Sequence, residues 1–205
     1  MFDSLIFLIG LSVIRRSLAQ TRVNSKVDRM MENSSPVRGN DMSAIRFIDI
    51  QEQHLAEVQA IYNHYVENTT ITFTTEPLTL DETREMVINA DSRFKSFLII
   101  EDETVYGYVL LTQFKKRQAY NKTAELTIYL KPDCMGRGLG QTALEFIENE
   151  AKSQGFHALL AVICTENERS ERLFAKNAYR KNAHFEQIGY KFDRYLDVSC
   201  YQKLI

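Results

Sequence analysis

The sequence predicts an α/β domain built on a mixed, mostly antiparallel central sheet flanked by helices. Between residues 45 and 202, segments of strand-like and helix-like hydrophobic period follow the order β-α-α-β-β-β-α-β-α-β-β. Residues 158–164 are wholly apolar, which is typical of a short strand buried on both faces of a sheet. With 44% hydrophobic and 25% charged residues, the 205-residue chain has the composition of a globular protein with one core.

The first 41 residues differ in character from the rest. Residues 5–14 form an apolar run that is too short to cross a bilayer as a helix, and Asp3 before it does not suit a secretory signal. Residues 15–41 are polar and without periodicity, so we expect a poorly structured extension over residues 1–41 and a domain over residues 42–205. An upstream start assignment, with Met42 as the true initiator, and a membrane-surface anchor both remain open as explanations.

Hydrophobic period and turn residues predict each element of the domain. A threonine-rich loop over residues 68–79 separates the first two helices, and Gly155 ends the third. The predicted strands are residues 45–49, 97–101, 105–114, 123–130, 158–164, 179–188 and 191–202. The predicted helices begin near Leu55 and Leu80 and then span residues 138–154 and 168–176.

The strand over residues 123–130 and the turn after it carry the strongest functional signal. Alternate residues from Ala124 to Leu130 are apolar and face the core, whereas the opposite face, which includes Glu125, is available for chemistry. The strand leads into the glycine turn, Gly136-Arg137-Gly138-Leu139-Gly140-Gln141, in which alternate glycines let the backbone approach a ligand closely. Since a helix follows at once, its free N–H groups favour a phosphate group here, and Arg137 adds a positive charge.

Two common nucleotide sites fit this turn poorly. A P-loop needs a lysine followed by serine or threonine after its last glycine, and Gln141 occupies the position of that lysine. A Rossmann site would place the turn after the first strand and an acidic residue on the next strand, whereas residues 158–164 contain no acid.

Charge and cysteine content limit the partners. The formal net charge of -2 gives no overall positive field for nucleic-acid binding, so a small-molecule partner is favoured. The three cysteines, Cys134, Cys164 and Cys200, lack the spacing of a disulfide framework or a metal site. We interpret them as reduced thiols of a cytoplasmic protein and expect no metal; Cys134 is interpreted as a packing residue.

Several segments of the chain together carry a resemblance to a known family. They are residues 61–66 with Thr72-Phe73 downstream, residues 119–130, the glycine turn, residues 166–173, residues 189–191 and residues 197–198. Over residues 45–202 the chain resembles the GNAT family of N-acetyltransferases, and within it the phosphinothricin and methionine sulfoximine acetyltransferases. The resemblance implies a GNAT-type sheet, acetyl-CoA as co-substrate and commonly a homodimer.

The resemblance also implies roles for individual residues. The backbone of Ile128, Tyr129 and Leu130 would pair with the pantetheine arm of acetyl-CoA. The glycine turn, Gly136, Arg137, Gly138, Leu139, Gly140 and Gln141, would hold the pyrophosphate. Asn167 would contact the cofactor, although its residue type and position also suit an N-cap of the next helix. The acceptor would lie near Phe73 and near Gln118, Ala119 and Tyr120; the basic run at residues 115–117 is most simply a solvated surface.

Glu125 is the candidate general base, because acetyl transfer needs a neutral amine and the family places a glutamate at this point. A free glutamate is a weak base, so it would need burial or a relaying water. Two departures from the family stand out. Phe174 occupies the position of the usual general acid, for which Tyr129, Tyr179 and Tyr190 are candidate replacements, and Met135 occupies the first position of the turn, where arginine or glutamine is usual.

The function expected from these residues is acetyl-CoA-dependent N-acetylation of the α-amino group of a small amino acid or analogue, without a metal and without a membrane or nucleic-acid partner. Two alternatives stay open: a peptide or protein N-acetyltransferase, and a CoA-binding module without turnover.

Overall fold

A seven-stranded mixed sheet organises the protein. The computed structural model describes residues 45–205, so the extension predicted over residues 1–41 lies outside the described residues. The strands are β1 (Arg46–Asp49), β2 (Ser96–Glu101), β3 (Thr104–Gln113), β4 (Thr123–Leu130), β5 (Ala158–Cys164), β6 (Arg180–Lys191) and β7 (Arg194–Leu204). Their order across the sheet is β1-β2-β3-β4-β5-β7-β6. Since only β4 and β5 pair in parallel, the predicted mixed, mostly antiparallel sheet is confirmed.

Within residues 45–205, four α-helices cover the two faces of this sheet. They are α1 (Leu55–Asn68), α2 (Leu80–Val87), α3 (Leu139–Ser153) and α4 (Glu168–Lys176). One core joins α3 and α4 to the sheet and contains Ala124 and Leu126 of β4. A second core joins α1 and α2 to the other face and contains Tyr129. The alternation predicted for β4 is therefore confirmed at Ala124 and Leu126, and Ile128 packs partly buried against the same core. Leu130 belongs to neither core, and the second face of the strand is buried at Tyr129. Among the helices of residues 45–205, none is long and apolar enough to cross a membrane.

Strands β4 and β5 stay paired over only three positions. Thr123, Ala124 and Glu125 pair with Ala158, Leu159 and Leu160. Beyond Glu125, β4 remains paired with β3, and β5 remains paired with β7. The two central strands therefore separate toward their carboxyl ends, and the gap between them leaves one edge of β4 open.

The last hairpin turns later than predicted. The predicted strand ends put the turn at Gly189-Tyr190, but β6 continues to Lys191 and the chain turns at Phe192 and Asp193. These two residues adopt left-handed conformations, with φ of 52° and 56°. Gly189 instead pairs with Leu196 inside the hairpin, and its missing side chain makes room for a packing contact. Gly189 is thus a residue within strand β6 at a packing contact, and not a turn residue between the two predicted strands.

Val162 also departs from expectation. Residues 158–164 are buried as predicted except for Val162, which is 48% exposed. This side chain lines the gap beside β4, so the prediction of complete burial on both faces is wrong at that position.

Candidate active site

The glycine turn after β4 adopts backbone angles that glycine reaches more readily than other residues. A short 3-10 turn, Pro132–Cys134, leads to Gly136 and Gly138, whose φ angles are +86° and +81°. No neighbouring atom lies within 4 Å of a Cβ built on either glycine, so backbone conformation and not space requires glycine here. Gly138 is the N-cap of α3, and within residues 45–205 no side chain caps this helix. The unsatisfied N–H groups of the first turn of α3 are therefore available to a ligand.

A cavity of about 290 Å³ lies between this turn, the end of β4 and α4. It collects nine of the ten residues for which the sequence predicts cofactor contact. They are Ile128, Tyr129, Leu130, Gly136, Gly138, Leu139, Gly140, Gln141 and Asn167. Tyr65, Met135, Arg169, Ser170, Leu173 and Lys176 are among the residues that complete the wall. One concave surface thus combines a strand edge, a helix N-terminus and two cations.

The open edge of β4 presents backbone groups to the gap. The N–H of Lys131 donates to the carbonyl of Tyr106 at 2.8 Å, which directs the backbone of Lys131 toward β3. Because alternate residues of a strand direct their backbone groups to opposite sides, Ile128 and Leu130 direct theirs toward the gap. The hydroxyl of Tyr65 donates to the Leu130 carbonyl. The N–H and carbonyl of Ile128 and the N–H of Leu130 can therefore pair with an extended ligand as an added strand would.

Arg137, the tenth predicted cofactor residue, is engaged elsewhere. Its guanidinium donates to the Glu101 carboxylate at 2.9 Å and lies 4.6 Å from the centre of the Tyr106 ring. These contacts raise its pKa further, through hydrogen bonding to Tyr106 and then to Glu101. Arg137 is absent from the wall of the cavity, in contrast to the prediction that it faces a phosphate group.

Two cations that sequence reasoning missed lie on the cavity wall. Arg169 and Lys176 both belong to α4, and both line the cavity together with Leu173. Charged residues are common on short helices, so neither Arg169 nor Lys176 stands out in the sequence. Their spacing was a usable signal, because positions i, i+4 and i+7 share one helix face and Leu173 marks the face that packs inward.

Asn167 and Gln141 act in the fold as well as on the cavity wall. The Asn167 Oδ1 accepts the Ser170 N–H at 3.2 Å, so the residue caps α4 while it lines the cavity, and both predicted roles are compatible. The amide side chain of Gln141 forms a reciprocal pair with Asn177, at 2.7 and 2.8 Å. This pair ties the start of α3 to the end of α4, and the backbone N–H of Gln141 donates to the Gly138 carbonyl at 3.0 Å.

Glu125 lies at the point where β4 and β5 separate. It pairs with Thr112 of β3 and with Leu160 of β5, which is the last position of the parallel ladder. Burial raises its pKa, and the positive charge of Lys115 partly opposes the rise. A carboxylate with a raised pKa is a better proton acceptor than a solvated one. Glu125 is therefore a partly buried carboxylate at the closed end of the gap.

The gap itself contains a smaller cavity of about 50 Å³, which begins at Leu126, one residue beyond Glu125. Phe174 lines this cavity, so the aromatic ring at the position of the usual acid does reach the gap. Tyr129 lines both cavities. Burial raises the pKa of Tyr129, and the charge of Glu125 is among the further causes of the rise. Of the three candidate replacements for the acid, Tyr129 is the one that borders the gap.

Tyr179 and Tyr190 lie elsewhere. Tyr179 is buried in the core with α3 and α4, and its ring packs on Phe174 at 5.0 Å between centroids. Burial, followed by the charge of Glu148, raises its pKa. Tyr190 is 57% exposed on β6, where its ring packs against Tyr195. Neither residue lines the two cavities.

Met135 and Cys134 supply apolar surface and packing at the glycine turn. Met135 is 40% exposed and lines the larger cavity, so it offers a ligand an apolar contact in place of a polar one. Cys134 is buried, and its thiol lies 3.3 Å from the Asp133 carboxylate. Burial and this contact raise its pKa, which disfavours a reactive thiolate and agrees with a packing role.

The residues predicted to contact an acceptor lie outside these two cavities. Phe73 is 37% exposed on the loop between α1 and α2 and packs on Gly189 of β6. Gln118, Ala119 and Tyr120 form a 3-10 turn just before β4, and the Tyr120 ring packs on Phe114 at 5.6 Å. Burial, followed by the charge of Glu125, raises the pKa of Cys200 on β7.

Comparison with known proteins places the fold and these sequence segments in one family. Residues 45–199 match the family model described as an acetyltransferase (GNAT) domain. Phosphinothricin N-acetyltransferase from Streptomyces coelicolor is 31% identical over 156 residues, which cover 74% of this chain and 91% of the relative. The L-methionine sulfoximine/L-methionine sulfone acetyltransferase of Pseudomonas paraeruginosa is 28% identical over 151 residues, which cover 72% of this chain and 87% of the relative. The structure of yncA from Salmonella typhimurium with its cofactor acetyl-CoA superposes with a TM-score of 0.70 at 26% identity, over 78% of this chain and 94% of that one.

Proposed function

Since the chain belongs to the GNAT acetyltransferase family and is an N-acetyltransferase, we propose that it transfers the acetyl group of acetyl-CoA to the α-amino group of a small amino acid or amino acid analogue. The observation that carries the proposal is the gap between β4 and β5. It runs from the glycine turn, past the open edge of β4, to Glu125 at its closed end.

The residues around the gap fit acetyl-CoA. The first turn of α3 offers N–H groups to the pyrophosphate, and the backbone of Ile128 and Leu130 offers a strand edge to the amides of the pantetheine arm. Held in this way, the thioester end of the molecule would lie on the side of the gap that Glu125 closes. The Salmonella typhimurium neighbour, which has the same fold, holds acetyl-CoA as its cofactor, and this likeness supports the proposal.

When bound, acetyl-CoA supplies an activated acyl carbon, so that a C–N bond forms as the C–S bond breaks, without a metal. The task left to the chain is to provide a neutral amine. The α-amine of a peptide, with a pKa near 8, loses its proton at pH 7 at a cost of about 1 kcal/mol, and a lysine-type amine at about 4 to 5 kcal/mol, so a base matters more for the more basic amines. We propose that Glu125 accepts this proton. Tyr129, whose raised pKa keeps its phenol protonated, is the proposed hydrogen-bond donor on the gap.

The proposal is tested by following thiol release from acetyl-CoA in the presence of single amines. The panel contains free amino acids, methionine sulfoximine, phosphinothricin and short peptides with free N-termini. We expect acceleration by one or more amino acids or analogues, and mass spectrometry should find the acetyl group on the α-nitrogen. A preference for peptides would support the alternative of a peptide N-acetyltransferase. If acetyl-CoA binds tightly but no amine accelerates thiol release, the result would support the alternative of a CoA-binding module without turnover.

The cations of α4 should matter more for acetyl-CoA affinity than Arg137 does. Arg169 and Lys176 line the cavity, whereas Arg137 is bound to Glu101 and Tyr106. A hydrogen bond to a charged group contributes about 1.5 to 3 kcal/mol, so Arg169→Ala and Lys176→Ala should each weaken binding roughly tenfold or more. We expect Arg137→Ala to change the dissociation constant less than about threefold.

Isothermal titration with acetyl-CoA checks this order. Arg172→Ala is the matched control, because Arg172 lies on the same helix, is paired with Glu168 at 2.9 Å and does not line the cavity. If Arg137→Ala proves the most damaging of the four variants, the phosphate groups lie against Arg137 and the assignment to α4 is wrong.

A homodimer is the proposed assembly. Strand β6 is at the edge of the sheet, and its exposed apolar side chains include Phe185 at 47% and Ile188 at 61%. Tyr190 and Tyr195 extend this surface across the hairpin. Because an exposed edge strand with apolar side chains favours association, a second copy of the chain is the occupant we propose. Sedimentation equilibrium should give twice the mass of one chain, and a monomer at all concentrations would contradict it.

We propose a cytoplasmic location. Within residues 45–205 the three cysteines are free, and Cys134 and Cys164 are buried. Unpaired thiols of this kind are typical of proteins in reducing compartments.

A further inference from the structure

The loop that carries Phe73 is tied to the last hairpin by a buried lysine. Lys191, at the end of β6, donates from Nζ to the backbone carbonyl of Thr72 at 2.9 Å. Lys191 is only 4% exposed and Thr72 only 6%. The hydrogen bond therefore joins two segments that are 119 residues apart inside the protein.

Thr72 is held from other directions as well. Its hydroxyl lies 2.8 Å from the hydroxyl of Tyr62 on α1, which in turn lies 2.6 Å from the hydroxyl of Thr74. The Thr72 side chain also acts on Tyr129 of β4, since it partly opposes the burial that raises the Tyr129 pKa. The charge of Glu125 also contributes to the raised pKa of Tyr129. The contacts of Thr72 with Tyr62 and Tyr129 therefore connect the Phe73 loop to β4, the strand that carries the proposed base.

Phe73 keeps its position because residue 189 has no side chain. A Cβ built on Gly189 would lie 2.8 Å from Cδ2 and 2.9 Å from Cζ of the Phe73 ring, and closer still to Cε2. Gly189 is not among the glycines with positive φ, so its backbone conformation is open to alanine. The glycine is thus needed for the ring of Phe73 and not for the path of the chain.

Burying the ammonium group of Lys191 at this position costs free energy. Burial lowers the pKa of Lys191, which reflects the cost of taking its charge out of water. A methionine would fill a similar volume without that cost, so packing alone does not account for a lysine here. What the lysine adds is a directed hydrogen bond to the residue that precedes Phe73.

We propose that Lys191 and Gly189 are positioning residues of the acceptor site, which together fix Phe73 as one wall of the cleft that holds the amine. The inference rests on the proposed function, because it assigns a purpose to a loop that would face the acceptor. Lys191 sets the backbone at Thr72, and Gly189 receives the ring of the next residue.

Two variants test the two contacts separately. Lys191→Met removes the donor and keeps the volume, and Gly189→Ala displaces the Phe73 ring without backbone strain. Each should raise KM for the amine roughly tenfold, which corresponds to about 1.4 kcal/mol, while kcat and the dissociation constant for acetyl-CoA change less than about twofold. The matched control is Lys122→Met, because Lys122 Nζ also donates to a backbone carbonyl, that of Gly155 at 3.0 Å, at the far end of α3. It should leave KM for the amine unchanged.

Hydrogen exchange gives a readout that does not depend on acetyl transfer. In Lys191→Met the amides of residues 71–75 should exchange faster than in the wild type, because the loop loses its tether. Unchanged exchange would show that Lys191 does not hold the loop. Faster exchange with an unchanged KM would show that the loop is not a wall of the amine site. If Lys191→Met does not fold, Gly189→Ala decides the question alone, and a wild-type protein that acetylates no amine would overturn the proposed function and the acceptor role with it.

Discussion

Replacing Glu125 with glutamine is expected to lower kcat for acetyl transfer about a hundredfold or more at pH 7, the range that general base catalysis contributes. Glutamine keeps the shape of the side chain at the end of the β4–β5 ladder but cannot accept the amine proton. The deficit should shrink as the pH rises through the pKa of the amine, because a growing fraction of the substrate is then already neutral.

Steady-state rates between pH 5.5 and 9.5, measured with the best amine, check this expectation. Wild-type activity should fall on the acid side as Glu125 becomes protonated, at a pH above the ordinary range of a glutamate because burial raises its pKa. The matched control is Glu103→Gln, since Glu103 is a glutamate whose side chain is 99% exposed. A Glu125→Gln enzyme with wild-type kcat and an unchanged pH profile would remove Glu125 from the mechanism.

The same substitution has an effect on stability with a defined sign. Because the folded-state pKa of Glu125 is raised, the folded protein holds this proton more tightly than the unfolded chain does. The contribution of Glu125 to the free energy of unfolding therefore decreases as the pH rises from the unfolded value, near 4.5, through the folded value. Glutamine has no such dependence. The Tm of Glu125→Gln relative to wild type should consequently increase between pH 4 and pH 7, and a difference that shrinks over this interval would contradict the burial of the carboxylate.

Much of the fold could be predicted because hydrophobic period reports which face of an element is buried. The alternation along β4 correctly separated Ala124 and Leu126 from Tyr129, and the apolar residues at helical spacing in α1 are buried in the second core. The bounds predicted for α4, residues 168–176, agree with the structure. The hydrophobic period does not indicate which strands pair or at which residue the pairing of two strands ends. The separation of β4 and β5 after Glu125, on which the whole candidate site depends, left no pattern along either strand.

Some residues of the candidate site could likewise be predicted from the sequence, and others could not. The glycine turn was predictable because positive φ restricts the residue type locally. The partners of Arg137 were not, because Glu101 is 36 residues away and lies next to it only once β2, β3 and β4 are assembled. The packing role of Gly189 was not predictable for a related reason, since the Phe73 ring that needs its missing side chain comes from a distant loop.

Gly107→Ala is expected to weaken acetyl-CoA binding more than tenfold and to destabilise the fold. Gly107 of β3 lies opposite Leu130, at the end of the open edge of β4. A Cβ at this position would lie 2.9 Å from the Cα of Leu130, and closer still to the carbonyl oxygen of Tyr129. Both are backbone atoms, so no side chain can move to relieve the contact and β4 itself must shift. Overpacking of this kind typically costs about 1 to 3 kcal/mol, and the shift would move Leu130 and the approach to the glycine turn.

Thermal unfolding and titration with acetyl-CoA separate the two effects when Gly155→Ala is measured in parallel. Gly155 has a φ of +72° at the far end of α3, so alanine there should lower Tm through backbone strain without disturbing the cofactor edge. A loss of stability in both variants, with a loss of affinity only in Gly107→Ala, would show that the close approach of β3 and β4 shapes the site. Equal affinities in the two variants would mean that the edge of β4 tolerates the shift, and that acetyl-CoA is held by the glycine turn and α4 without help from the strand.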